Sequence, residues 1–112
     1  MSQVPTQVSF RNMSQPLGLV EQVHEKVPDL EKIYPRLTAC RVMIECRNHR
    51  HPMGDLFHVR IDVTVPGAEL VVSRDPSEQG AYQDLKVIVH TAFDQIRRQL
   101  ENHVSRLRTG TH

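Results

Sequence analysis

The strictest constraint on this chain is a pair of period-two runs separated by a single polar turn. In residues 38–47 (TACRVMIECR), Cys40, Val42, Ile44 and Cys46 fall on one side and Arg41, Met43, Glu45 and Arg47 on the other. In residues 56–65 (LFHVRIDVTV), Phe57, Val59, Ile61, Val63 and Val65 alternate with His58, Arg60, Asp62 and Thr64. Side chains alternate across a strand, so each run requires a sheet with one apolar face and one wet face. The intervening residues 48–55 (NHRHPMGD) are polar and turn-forming. Pro66-Gly67 makes the next turn, and residues 69–73 (ELVVS) form a short further strand. Three strands joined this closely form an antiparallel meander.

The rest of the chain must cover the apolar face. Residues 4–10 (VPTQVSF) alternate too, with Val4, Thr6, Val8 and Phe10 on one side, and Pro5 points to an edge position or a strand start. Residues 12–16 carry turn chemistry, which predicts Ser14 as a helix N-cap with Pro16 in the first turn. From Leu17 onward, Val20, Val23, Val27, Leu30, Tyr34 and Leu37 recur at gaps of three and four, the stripe of an amphipathic helix. Pro28 interrupts the run at a cost of about 3 kcal/mol. The spacing continues through it, so one kinked helix is expected, ended by Pro35. After a loop at residues 74–80 (RDPSEQG), residues 81–107 read as a second helix, about 40 Å long. Its stripe is Leu85, Val89, Ala92, Ile96, Leu100 and Leu107, widened by Ile88, Phe93 and Val104. Residues 108–112 carry no pattern and are expected to fray.

The element order is β-α-β-β-β-α. A strand, crossover helix and strand form a right-handed unit, so the first two strands should be parallel. The expected fold is an α/β two-layer sandwich: a four-stranded mixed sheet with two helices on one face. With 112 residues, one domain spanning 1–112 is expected, ordered over about residues 3–107. The core must be aliphatic, because there is no Trp and aromatics are only 4% of the chain.

Several function classes are disfavoured. No GxSxG, HExxH or glycine-rich phosphate loop occurs, and Ser9, Ser14, Ser73, Ser77 and Ser105 lie in no nucleophile context, so no enzyme and no cofactor are expected. The first ten residues lack the basic start and apolar run of a signal peptide, and no apolar stretch approaches the about 20 residues of a membrane span. Cys40 and Cys46 would lie about 20 Å apart along one strand, too far for a disulfide. A reducing, cytoplasmic setting follows.

The histidine-rich turn raises a metal site. Cys46, His49, His51 and His58 are zinc-ligating types, but no paired spacing such as CxxC accompanies them. The preferred reading has Cys46 pointing into the core, away from a solvated, cationic hairpin, with no metal. Charge is more informative, although the net formal charge is only +1. The first helix carries Lys26, Lys32 and Arg36 against Glu21, Glu25, Asp29 and Glu31. The second carries Lys86, Arg97, Arg98, Arg106 and Arg108 against Asp84, Asp94 and Glu101. The hairpin adds Arg41, Arg47, Arg50 and Arg60 against Glu45 and Asp55, so positive charge gathers on the hairpin and the second helix.

Several strings in this order resemble the short hibernation-promoting factor and ribosome-associated inhibitor family, also called sigma-54 modulation proteins. They are Val8-Ser9-Phe10-Arg11-Asn12-Met13, Leu30-Glu31-Lys32, Cys40-Arg41-Val42, the run from Phe57-His58-Val59-Arg60 to Pro66-Gly67, Glu69-Leu70-Val71-Val72 and Arg98-Gln99-Leu100. The resemblance implies a fold like that of double-stranded RNA-binding domains. It implies binding to the small ribosomal subunit and its 16S-type rRNA in the channel used by messenger and transfer RNA. Idle ribosomes would be silenced there by steric occlusion under stress or in stationary phase. Positions matching the family's basic residues are Lys26, Lys32 and Arg98. Arg36, Lys86, His90 and Arg97 are nearby candidates for rRNA phosphates, and Arg47, His49, Arg50 and His51 on the turn are further ones. By length the chain resembles the short type without a dimerising domain, so a monomer in the free state, with no DNA and no membrane partner, is expected. Three features depart from the family pattern: Glu21 and Asp29 where basic residues are usual, Asp84-Leu85-Lys86 where an Asp-x-Tyr step is usual, and Pro28. The near-neutral charge and the acidic first helix favour the runner-up, a protein-interaction module on the same fold with a non-ribosomal partner.

Overall fold

The structure, a computed structural model, describes residues 4–48, 56–75 and 84–109. The alternating runs form strands β1 (Thr6–Arg11), β2 (Ala39–Asn48), β3 (Leu56–Val65) and β4 (Ala68–Arg74), and the two periodic stripes form helices α1 (Leu19–Ile33) and α2 (Leu85–Arg108). The strands lie in the sheet in chain order. β1 runs parallel to β2 with Val8 opposite Val42, and β2–β3–β4 is the antiparallel meander, with Val42 opposite Ile61 and Ile61 opposite Val72. The mixed sheet with its two helices is therefore the architecture that the pattern implies. β1 takes the sheet edge, where Pro5, with no N–H to give, is tolerated; its carbonyl accepts from Cys40 N at 2.9 Å.

Both helices lie on the apolar face. α2 packs over β3 and β4, and α1 lies beside α2 and reaches β1. Leu19, Val23, Val27 and Leu30 from α1 meet Val42, Ile44, Ile61 and Val63 from the sheet and Val89, Ile96 and Leu100 from α2, all at 2% exposure or less. The core is aliphatic, as the composition requires.

The helix ends differ from expectation. Gly18, with φ +80°, is the residue before the first helical turn of α1, so Ser14 does not cap the helix. A left-handed residue cannot sit inside a right-handed helix, so nothing before it belongs to α1, and Leu17 is 95% exposed. A side chain at Gly18 would also meet Lys86 Nζ at 3.4 Å. Tyr34 is extended, as a residue before proline tends to be, and α1 ends at Ile33. Tyr34 and Leu37 therefore lie beyond the helix, although Leu37 is still buried. α1 runs through Pro28 as one element.

At the start of α2, Asp84 Oδ1 accepts from Lys86 N at 2.8 Å and caps the helix, so it begins at Leu85 rather than Ala81; residues 81–83 lie outside the described residues. Arg108 is its last helical residue rather than part of a frayed tail, and Leu107 is 53% exposed, because the apolar contact ends at Val104. His58 is on the wet face yet only 6% exposed. Its Nδ1 lies 3.0 Å from Asp75 Oδ1 and its Nε2 lies 3.4 Å from Ser73 Oγ, so the polar ring is buried with partners at both nitrogens.

Candidate nucleic-acid interface

α1 and α2 run side by side in the same direction. Gln22 Nε2 donates to Lys86 O at 2.8 Å and Lys26 Nζ lies 2.7 Å from His90 Nδ1, two contacts with the same offset of 64 residues. Farther along, the rings of Tyr34 and His103 meet edge-on with centroids 5.9 Å apart. This register brings the cations of two distant segments onto one seam. Lysine has no acceptor, so Lys26 donates and His90 Nδ1 accepts.

Midway along the seam a cavity of about 260 Å³ opens. Leu30 and Phe93, 2% and 3% exposed, form its floor. Lys26, Asp29, His90, Asp94 and Arg97 form its rim. Toward the C-terminal ends of the helices, Lys32, Glu101 and Arg108 border a second depression.

The cations on this surface are not equivalent. Arg97 Nη2 donates to Asp94 Oδ1 at 2.6 Å and its Nη1 lies 3.5 Å from Glu101 Oε2, while Arg98 Nη2 lies 3.0 Å from Asp94 Oδ2. The hydrogen bond from Arg97 holds the Asp94 carboxyl below its usual range, with the charge of Arg98 adding to it against a desolvation that raises it. Arg97 is held in its charged form in return, first by Asp94 and further by Glu101 and Asp29. Lys26, Lys32, Arg36 and Lys86 form no ion pair among the described residues, so their charge is available to an incoming anion.

The structure thus gathers Lys26, Lys32, Lys86, His90 and Arg97 on the seam, with Arg98 on the outer side of Asp94. Arg36 follows the end of α1 and is exposed. Arg47 is on the opposite, open face of the sheet, tied to Glu45 at 3.3 Å and Asp75 at 3.8 Å. Arg50, His49 and His51 lie outside the described residues. Asp94 was missed as the organiser of two candidate arginines, although its three- and four-residue spacing to Arg97 and Arg98 is a sequence signal for such pairs.

The open face has a different character. Arg41 Nη2 pairs with Glu69 Oε2 at 2.7 Å, and Arg60 Nε with Asp62 Oδ1 at 3.0 Å. Arg11, unpaired among the described residues, joins Arg41 and Arg60 around a depression of about 310 Å³. Cys46 is buried on the helix side of the sheet while His58 is on the open side, so one metal ion could not touch both. Among the described residues no three metal-ligating side chains cluster, and no helix is long and apolar enough to cross a membrane.

Comparison with known proteins agrees with this architecture. The N-terminal domain of Protein Y from Thermus thermophilus superposes with a TM-score of 0.68 at 17% identity, covering 89% of this chain and 98% of that one. A ribosomal subunit interface protein from Coxiella burnetii superposes with a TM-score of 0.63 at 12% identity, covering 95% of this chain and 99% of that one. Among curated proteins no sequence matches significantly. Residues 6–108 match the family described as sigma 54 modulation protein / S30EA ribosomal protein, nearly the whole chain, and the protein belongs to that family.

Proposed function

We propose that this protein binds the small ribosomal subunit through rRNA phosphate contacts along the α1–α2 seam, occluding the channel for messenger and transfer RNA and so silencing idle ribosomes under stress or in stationary phase. Family membership makes it a ribosome-associated modulation factor. The observation that carries the finer reading is the convergence of Lys26, Lys32 and Lys86 from two helices on one surface, none of them in an ion pair among the described residues. Lysine ammonium groups held without a carboxylate partner suit phosphate oxygens, and contacts to phosphate fix position without reading sequence. Arg97 and Arg98 are shared with Asp94 and contribute less charge than their number suggests. Occlusion needs no chemistry, in keeping with a family of ribosome-binding modulators rather than enzymes. The protein acts in the cytoplasm and is monomeric when free.

The test is co-sedimentation of the purified protein with small ribosomal subunits at low and moderate salt. Salt-sensitive pelleting near one-to-one stoichiometry is the expected result. Absence of pelleting at low salt would overturn it. The second reading, a protein-interaction module, has one specific observation in its favour. Most charges on the open face of the sheet are paired, Arg41 with Glu69, Arg60 with Asp62 and Arg47 with Glu45, a surface suited to a protein rather than to phosphates. It predicts a partner whose capture survives RNase.

A further inference from the structure

The seam contains one residue that phosphate binding does not explain. Asp29 faces the cavity from α1, and a carboxylate there repels the same phosphates that Lys26 attracts. Asp94, the other carboxylate on the rim, is consumed by Arg97 and Arg98. Asp29 is exposed and makes no hydrogen bond or ion pair among the described residues, so both of its oxygens are open to a ligand.

The cavity beneath it has a definite character. Its volume of about 260 Å³ falls below the about 300 Å³ at which small-molecule sites ordinarily begin, which suits a single flat heterocycle better than a larger ligand. The floor of Leu30 and Phe93 is apolar and closes onto the core, as the face of an aromatic ring requires. The rim sets an acceptor, Asp29, beside a donor, Lys26, three positions away on the same helix, where side chains are neighbours. Polar edge and apolar face are the two surfaces of a nucleobase taken out of its stack.

We infer that the α1–α2 cavity receives one unstacked guanine base of single-stranded RNA, with the Asp29 carboxylate accepting from its N1–H and N2–H and Lys26 donating to its O6. Among the four bases only guanine places two donors side by side on its pairing edge, and an ionised carboxylate is an acceptor-only fork that matches them. Adenine and cytosine each offer a carboxylate one amine next to a ring nitrogen whose lone pair repels it, and uracil offers one N–H between two carbonyls. Lysine and arginine are the usual donors to guanine O6. The unpaired lysines on either side, Lys86 and Lys32, then hold the flanking phosphates. An acid in a cationic groove thus acts as a selector: it weakens contact with RNA in general and strengthens it where a guanine is presented.

This inference rests on the seam being the RNA-binding surface, and its test separates the two. The full chain is titrated into fluorescent oligouridine nonamers whose central base is G, A, C or U, at low salt, and anisotropy is read. The central-G nonamer is expected to bind about tenfold tighter, the discrimination of one good paired contact. Asp29→Asn, a change at an exposed position, keeps the size of the side chain but replaces one acceptor by a donor. It is expected to bring the four affinities together while leaving binding of the all-U nonamer equal or slightly tighter. Equal affinity of the unaltered protein for all four nonamers would overturn the inference, as would a guanine preference that survives Asp29→Asn. Sedimentation with small subunits is run on the same preparations. Pelleting without guanine preference removes base selection and leaves subunit binding intact. Guanine preference without pelleting supports the base site and removes the ribosome as its source.

Discussion

Cys40 is fully buried in β2, and burial changes its chemistry. Desolvation pushes its thiol up to about 12, against an ordinary value of 9.0. The thiolate is the reactive form, so Cys40 in the folded protein is expected to resist iodoacetamide at pH 8 and to react once urea unfolds the chain, a contrast that mass spectrometry reads directly. On the seam, Lys32→Glu replaces an unpaired cation and Arg98→Glu one already shared with Asp94. Both should weaken subunit pelleting, Lys32→Glu more, and both should leave the unfolding free energy from urea titration within about 0.5 kcal/mol of the parent, as exposed positions do. Asp94 carries a sign that can be checked. Its carboxyl is held below the ordinary 3.8, mainly by the hydrogen bond from Arg97. The pairing is therefore fully present above about pH 3.8 and is lost as pH falls through the lower folded value. A carboxyl-carbon NMR titration should show Asp94 titrating below the free-residue range, and Arg97→Gln should move it upward.

At the scale of the elements, α1 is a helix held by its packing rather than by its own propensity. Pro28 lies inside it and cannot donate to the turn before, while Val23, Val27 and Leu30 bury the stripe. Pro28→Ala is expected to raise unfolding stability by about 1–2 kcal/mol, the roughly 3 kcal/mol gain of propensity less the packing of a half-buried ring. A fall in the urea midpoint would show that the proline fits its site better than the helix suggests. The elements were legible because period two and period 3.6 are imposed by burial on one face. The meander and the alternation of Cys40, Val42 and Ile44 therefore follow directly. The start of α1 was not legible, because Ser14 has the chemistry of a cap whereas Gly18 takes the left-handed turn that ends just below Lys86, a residue from the other end of the chain. His58 alternates onto the wet side as its run dictates, yet it is covered by Asp75 from beyond β4, which no local pattern announces. The individual cations of the seam were visible in sequence. Their convergence was not, since it depends on two helices lying in parallel register 64 residues apart.

For the whole molecule, the two faces differ in charge: the helix layer carries Lys26, Lys32 and Lys86 outside any ion pair among the described residues, whereas most charges on the bare face of the sheet answer one another. If about four seam cations neutralise phosphates, affinity for small subunits should fall on the order of 100-fold between about 50 and 200 mM salt, and Lys32→Ala should reduce the logarithmic slope by about one. A slope near zero, measured by sedimentation across that range, would place the contact elsewhere. The order in which the chain is threaded has a consequence in time as well. Neighbouring strands in the meander are neighbours in sequence, so β2, β3 and β4 can assemble by closing short loops. The α1–α2 seam unites segments 64 residues apart and must wait for the longer closure. The groove is therefore expected to be the last feature acquired during folding and the first surrendered when the protein opens. Amide exchange should find α1 releasing its protons before β3, and a chain in that half-open condition would keep its sheet while losing the groove proposed to hold RNA.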